Sequence, residues 1–192
     1  VLALRVATNP AWLAAVFSNF DAFLVDHAAC EKKAFSTGMA LVSRYPERQR
    51  LATELIAFAR EELGHFALMH GILAARGLTL ARDTPDEYAR ALRSQVRSHG
   101  DGELCDRLLV AGIIEARSCE RLGLLAEALP VREPELAVTY RELCRAEARH
   151  HGLFFRLCRD EVGAVETERR AAELLDFEAE VVAKLPLRSG VH

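Results

Sequence analysis

Apolar residues recur along this chain at steps of three and four, the spacing that lines one face of an α-helix. A short first helix is predicted from Pro10, capped by Asn9 and carrying Trp12, Val16 and Phe17. A long helix follows from about Asp21 to Arg44, with a stripe of Phe20, Phe23/Leu24, His27/Ala28, Glu31, Phe35, Gly38 and Leu41/Val42. Pro46 opens the next, whose stripe runs through Leu51, Leu55, Phe58, Glu62, His65/Phe66, Met69 and Ile72/Leu73 until Gly77 ends it. Residues 78–103 are less regular, holding a short helix from Pro85 to Val96 and then a turn at His99-Gly100-Asp101-Gly102. A third long helix spans Leu104 to Leu129, with Leu108, Ala111/Gly112, Glu115, Ser118/Cys119, Leu122 and Leu125 inward. Pro134 starts the fourth, through Leu136, Tyr140, Leu143/Cys144, Glu147, His150/His151, Phe154 and Leu157. A final amphipathic helix runs from about Glu166 to Leu185, before Pro186. No stretch alternates with the period of a strand. The expectation is an all-α chain, a four-helix bundle with additional short N-terminal, crossover and C-terminal helices, forming a single domain over residues 1–192.

Six polar residues interrupt these apolar stripes in a repeated pattern. Glu31 precedes Glu62 by 31 residues, Glu115 precedes Glu147 by 32, and each second glutamate begins a Glu-x-x-His, ending at His65 and His150. Residues three apart on a helix lie about 60° apart around its axis, so each glutamate and its histidine point the same way. Buried carboxylates without compensation are expensive, and four carboxylates carrying −4 are neutralised by two divalent cations. The pattern is that of a dinuclear iron or manganese site built from bundle helices, with Glu31, Glu62, His65, Glu115, Glu147 and His150 as metal ligands and, through the metal, as catalytic residues. Mixed imidazole and carboxylate donors suit iron or manganese better than a thiolate-seeking metal. Iron is the choice because a ferrous pair can reduce dioxygen, although spacing alone leaves manganese open. Glu61, His70, Glu120 and His151 fit less well: Glu61 lies about 100° from Glu62, Glu120 is placed to pair with an arginine, and His151 lacks the three-residue spacing. His27, one turn before Glu31, reads as a core histidine or a partner of that ligand. His99 and His192 read as loop and tail residues.

Composition narrows the class further. The 192 residues are 51% hydrophobic and 28% charged, ordinary for a globular domain, and the net charge of −3 advertises no broad nucleic-acid surface. Yet 22 arginines stand against three lysines, so local cationic clusters remain possible. Arg90, Arg93, Arg97, Arg117 and Arg121 are candidates for such contacts. No apolar run reaches membrane-spanning length and the N-terminus has no signal pattern. Five cysteines without C-x-x-C spacing suit reduced core thiols, and a cytoplasmic, membrane-free protein is expected.

Several segments resemble one family. Asp26-His27-Ala28-Ala29-Cys30-Glu31-Lys32-Lys33-Ala34, Ala59-Arg60-Glu61-Glu62-Leu63-Gly64-His65-Phe66, Ile114-Glu115-Ala116-Arg117-Ser118-Cys119-Glu120-Arg121 and Glu147-Ala148-Arg149-His150 are similar to the signatures of the tRNA 2-methylthio-N6-isopentenyladenosine hydroxylases (MiaE). The tail Pro186-Leu187-Arg188-Ser189-Gly190 is similar too, and His151 departs from the aromatic residue expected there. The resemblance implies a ferritin-like fold and a non-haem di-iron monooxygenase with two iron ions as cofactor and dioxygen as co-substrate. It further implies a tRNA substrate with a prenylated adenosine beside the anticodon, hydroxylated on the isopentenyl chain with two electrons from an external donor. Residue spacing by itself leads only to a dinuclear site that handles dioxygen or peroxide. The competing expectations are a ferritin- or rubrerythrin-like iron- or peroxide-handling protein, a manganese catalase, and a partner-binding bundle whose Glu/His pairs are ion-pair networks.

Overall fold

The computed structural model describes residues 4–192. Among them are seven helices and no strand: α1 (Trp12–Ser18), α2 (Phe20–Arg44), α3 (Gln49–Ala75), α4 (Glu87–Arg93), α5 (Gly100–Ala128), α6 (Pro134–Val162) and α7 (Ala164–Lys184). The all-α expectation holds, with four long helices where the stripes put them. Asn9 Oδ1 accepts from the Ala11 N–H at 2.9 Å ahead of α1, and Asn19 caps α2 by accepting from Ala22. Pro134 occupies the first turn of α6, where its missing N–H costs nothing. Some boundaries differ from expectation: Pro46 lies in the turn before α3, α4 is shorter than the stretch Pro85 to Val96, and the glycine-rich stretch at 100–102 begins α5 instead of forming a turn outside it. Asp101 and Glu103 place negative charge in that first turn, where the helix dipole favours it. Gly102 lets the Arg97 guanidinium lie against the helix, since a Cβ there would stand 3.1 Å from Arg97 Cζ.

The helices fall into two compact units. One comprises Ala15–Thr84 with Arg188–Val191, and its centre is the antiparallel hairpin α2–α3. Phe23, Leu24 and Ala28 of α2 and Leu51, Leu55, Phe58, Met69 and Leu73 of α3 are buried. The two helices close tightly at Gly38, where a Cβ would meet Phe58 Cδ1 at 2.9 Å. The 188–191 segment is fixed to α2: Ser189 Oγ donates to the Asn19 carbonyl at 2.7 Å and the Val191 N–H to Asp26 Oδ2 at 2.8 Å.

The other unit takes in the N-terminal segment to Ala14, Pro85–Leu187 and His192, and centres on the hairpin α5–α6 with α4 and α7 packed beside it. Its core includes Leu104, Leu108, Ile113, Leu122, Tyr140, Phe154 and Leu174. Gly112 permits close approach of α5 and α6, because a Cβ would fall 2.9 Å from Phe155 Cδ2 and 3.0 Å from Phe154 Cβ. Two buried carboxylates brace this unit through arginines. Asp106 accepts from Arg97 Nη2 at 2.8 Å and Arg170 Nε at 2.9 Å. Burial opposes the Asp106 charge, but those hydrogen bonds outweigh it and hold the carboxyl below its ordinary range. Glu178 of α7 accepts from Arg117 at 2.7 Å and from Tyr88 Oη at 3.0 Å, while Arg117 reaches the Val6 carbonyl at 3.0 Å and pairs with Glu120.

Replacing Gly112 by Val should lower unfolding free energy by about 1–3 kcal/mol through overpacking. By contrast Gly71→Ala, where a Cβ would meet nothing within 4 Å, should raise it by about 0.5–1 kcal/mol. Urea denaturation of the two variants checks both directions.

Candidate metal centre

The helical phase of each hairpin brings its Glu-x-x-His together with the single glutamate of the preceding helix. In the α2–α3 hairpin, Glu31, Glu62 and His65 each offer a ligand atom, all within 4.8 Å of one another. His65 Nδ1 stands 3.6 Å from Glu31 Oε2 and 3.5 Å from Glu62 Oε2. In the α5–α6 hairpin, Glu115, Glu147 and His150 meet the same 4.8 Å criterion, with His150 Nδ1 3.8 Å from Glu115 Oε2 and 3.9 Å from Glu147 Oε2. Five of the six residues are buried and His65 is half-buried.

These separations are at or beyond the limit of a hydrogen bond, yet close to the roughly 3–4 Å between two atoms that share a cation through bonds near 2.1 Å. Glu147 Oε2 is buried without a hydrogen-bond partner among the described residues. A buried oxygen of that kind is costly unless something cationic meets it. Each triad carries two carboxylates and one imidazole, so one divalent ion neutralises it. The donor set and spacing therefore fit iron or manganese in each hairpin.

Neighbouring residues refine the picture. His27 Nε2 lies 2.6 Å from Glu31 Oε1, making it the partner of a ligand carboxylate rather than an isolated core histidine. Burial opposes ionisation of Glu31, but His27 and His65 hold its carboxyl well below the usual range. Burial likewise opposes the His65 imidazolium, yet the Glu31 and Glu62 carboxylates push it up to about 10. Glu61 is more exposed, with its carboxylate 4.0 Å from His65 Nε2, and His70 is exposed. His151 turns to the Gly112 carbonyl, its Nδ1 at 2.8 Å, and packs against Phe155. Burial lowers its pKa, so it donates there as a neutral ring.

Three expectations are corrected. Arg117 is wholly buried on Glu178, and Arg121 is nearly so, stacked over Trp12 at 5.4 Å, so neither presents a cation to a large ligand. Arg97 is committed to Asp106 and Glu166. His192, read as a tail residue, is buried: its Nδ1 lies 2.9 Å from Asp86 Oδ2, its Nε2 lies 2.9 Å from Ser118 Oγ, and its ring stacks on Tyr88. The partners lie 106 and 74 residues away, beyond any local pattern, so no sequence signal pointed to this contact.

Helical hairpins seamed with carboxylate–imidazole triads define a ferritin-like fold whose buried residues fit a metal site. A solved structure described as protein 43 with aldehyde deformylating oxygenase activity, from Synechococcus, matches with a TM-score of 0.92 and 33% identity, over 98% of this chain and 94% of its own. The chain belongs to the tRNA-(MS[2]IO[6]A)-hydroxylase (MiaE) family, whose model matches residues 2–192. A relative in Pseudomonas putida, named tRNA 2-(methylsulfanyl)-N(6)-isopentenyladenosine(37) hydroxylase, is 35% identical over 176 residues, covering 89% of this chain and 84% of the relative. A relative of the same name in Salmonella typhimurium is 25% identical, covering 93% and 83%. Among the described residues no helix is long and apolar enough to cross a membrane.

The raised His65 pKa sets a sign for pH effects. Below its unfolded value, near 6.5, the imidazolium contributes its full stabilisation to the metal-free protein, and that contribution is lost as pH rises through about 10. The depressed Glu31 pKa acts at the other end, its contribution present above the unfolded value and lost as pH falls through the folded one. A metal taking His65 must displace its proton. Between about pH 7 and 9, loading ferrous or manganous ion should release about one more proton from the wild type than from His65→Gln, as calorimetry in buffers of differing ionisation enthalpy would show. Equal release would remove His65 from the ligand set.

Proposed function

We propose that Glu31, Glu62, His65, Glu115, Glu147 and His150 are the ligands of two iron ions, and that the chain hydroxylates the isopentenyl group of 2-methylthio-N6-isopentenyladenosine in tRNA. The observation that carries this reading is the pair of buried triads in a chain belonging throughout to a tRNA-hydroxylase family. The overall reaction balances as R–H, dioxygen, two electrons and two protons giving R–OH and water. The electrons come from an external donor, and a tRNA substrate makes the enzyme cytoplasmic.

When bound, the iron pair supplies the reductive activation of dioxygen that lets one oxygen atom enter an alkyl C–H bond. The protein's part is to hold and shield that chemistry. His27 restrains the Glu31 carboxylate through the 2.6 Å contact, so that this oxygen faces a fixed partner. The three-residue steps from Glu62 to His65 and from Glu147 to His150 keep each imidazole and carboxylate on one helical face. Phe23 packs against His27 and, with Leu24 and Ala28, is fully buried, which keeps water from the Glu31 face. The family match favours this reading over a storage or peroxide-consuming protein.

A second reading is favoured by the Synechococcus structure, whose described activity is on aldehydes. One assay separates the two. Ferrous-loaded protein with reductant and dioxygen should convert the isopentenylated nucleoside of a tRNA to a product one oxygen heavier by mass spectrometry, and leave a long-chain aldehyde intact. Unchanged nucleoside despite two bound irons would reject the tRNA assignment, and aldehyde consumption would favour the alternative. Glu115→Ala should retain helical circular dichroism while losing at least one of the two irons and turnover. Two irons and full turnover in that variant would show the ligand set to be wrong.

A further inference from the structure

The outer face of α6 carries Arg141, Arg145, Arg149, Arg156 and Arg159, all exposed. At about 100° per residue these five fall within an arc of roughly 80°, and at 1.5 Å per residue they extend about 27 Å along the helix. No carboxylate of α6 falls within that arc; Glu142 and Asp160 lie at its edge. Arg159 pairs with Glu168 at 2.6 Å. Arg141 and Arg145 make no salt bridge among the described residues, although Glu142 lies beside them in sequence. Arg149 and Arg156 have partners of their own, and on α7 of the same unit the exposed Arg169 is balanced by Glu166 and Glu173.

The internal repeat shows that the fold does not require these charges. Shifting by the 85 residues that relate Glu147 to Glu62, the positions of Arg141, Arg149, Arg156 and Arg159 become Ile56, Gly64, Gly71 and Ala74 in α3, and only Arg145 falls on another arginine, Arg60, all five exposed. The ligand-bearing faces are alike and the outer faces are not. Gly152 falls within the arginine arc and Ala148 about 20° beyond its edge. A Cβ at Gly152 would meet nothing within 4 Å, so packing does not explain a glycine that weakens the helix interior relative to alanine. Small residues there leave a low floor between long cationic side chains, on which a sugar–phosphate strand can lie closely.

We infer that this face of α6 is the docking surface for the phosphate backbone of the tRNA substrate, an inference that rests on the tRNA-hydroxylase reading above. Charge complementarity selects the occupant. Guanidinium groups bind phosphate through paired N–H donors, and a chain of net charge −3 needs a concentrated cationic face to hold a polyanion.

The test uses an anticodon stem-loop RNA carrying isopentenyladenosine, fluorescein-labelled, with binding followed by anisotropy across salt concentrations. In the triple variant Arg141→Gln, Arg145→Gln, Arg156→Gln, the log–log salt slope should fall by about one for each arginine that meets a phosphate, with Kd weakened about tenfold or more at low salt. The KM for the same stem-loop should rise in parallel. The comparison variant Arg169→Gln on α7 removes an exposed arginine outside the stripe and should bind within about twofold of wild type, and the variant Arg90→Gln, Arg93→Gln puts the α4 candidates to the same measurement. Unchanged affinity and slope in the α6 variant overturn the inference, as does a loss confined to the α4 variant. Normal RNA binding with turnover lost only when a protein reductant replaces dithionite also overturns it, giving the stripe to an acidic electron donor. A wild type that binds RNA through α6 but leaves the nucleoside unhydroxylated would uphold the surface and defeat the enzymatic reading.

Discussion

The structure depends on how it neutralises carboxylates placed where water cannot. It does so in two distinct ways. Asp106 and Glu178 meet guanidinium donors at 2.7–2.9 Å, true charge-assisted hydrogen bonds that brace helices, although Glu178 receives them on Oε1 while its Oε2 is buried without a hydrogen-bond partner among the described residues. In the triads the imidazole instead stands 3.5–3.9 Å from its carboxylates, and Glu147 keeps a buried oxygen without a hydrogen-bond partner among the described residues. In the first geometry a cation of the protein itself already meets the carboxylate. The second geometry is the one a bound cation would complete, as proposed for the two triads.

This division also explains what the sequence made legible. The six triad residues could be picked out because each is a polar exception on an apolar stripe, and three-residue spacing fixes direction on a helix without knowledge of the rest of the fold. Helix phases and the all-α class followed from the same periodicity, confirmed by the seven helices. The burial of Arg117 could not be foreseen in that way, since its partner Glu178 lies 61 residues further on, and an arginine beside a ligand looks alike in sequence whether it faces solvent or the core. His192 failed as a reading for the same reason, its partners being Asp86 and Ser118. The start of α5 was misread because glycine signals a turn in isolation, while a helix's first turn tolerates it when acidic residues follow.

The Glu-x-x-His repeat separates what the chemistry constrains from what it leaves open. Glu62/His65 and Glu147/His150 keep one spacing on their buried faces. On the outer faces α3 carries exposed Ile56 and Leu63 with one arginine, Arg60, on the corresponding arc, whereas α6 carries five. Metal binding cannot account for that difference, because side chains on the far side of a helix do not reach the ligands. A second constraint, external to the metal, must act on α6 alone, and an anionic macromolecule supplies one.

A cationic face on a net-negative chain does more than add affinity. At physiological ionic strength charges are screened over about 8 Å, so an approaching polyanion senses local surface rather than net charge. Over α6 it meets five exposed arginines along about 27 Å, one of them paired with Glu168. Attraction concentrated on one face restricts the orientations in which a large substrate can settle. That restriction matters here because the reacting group is a small alkyl chain on a single nucleoside, and productive binding requires the bulk of the RNA to be held in register while that chain is presented. Phosphate contacts fix register without reading sequence. Recognition of the modified base then falls to the site, and the arginine stripe needs only to hold the strand that carries it.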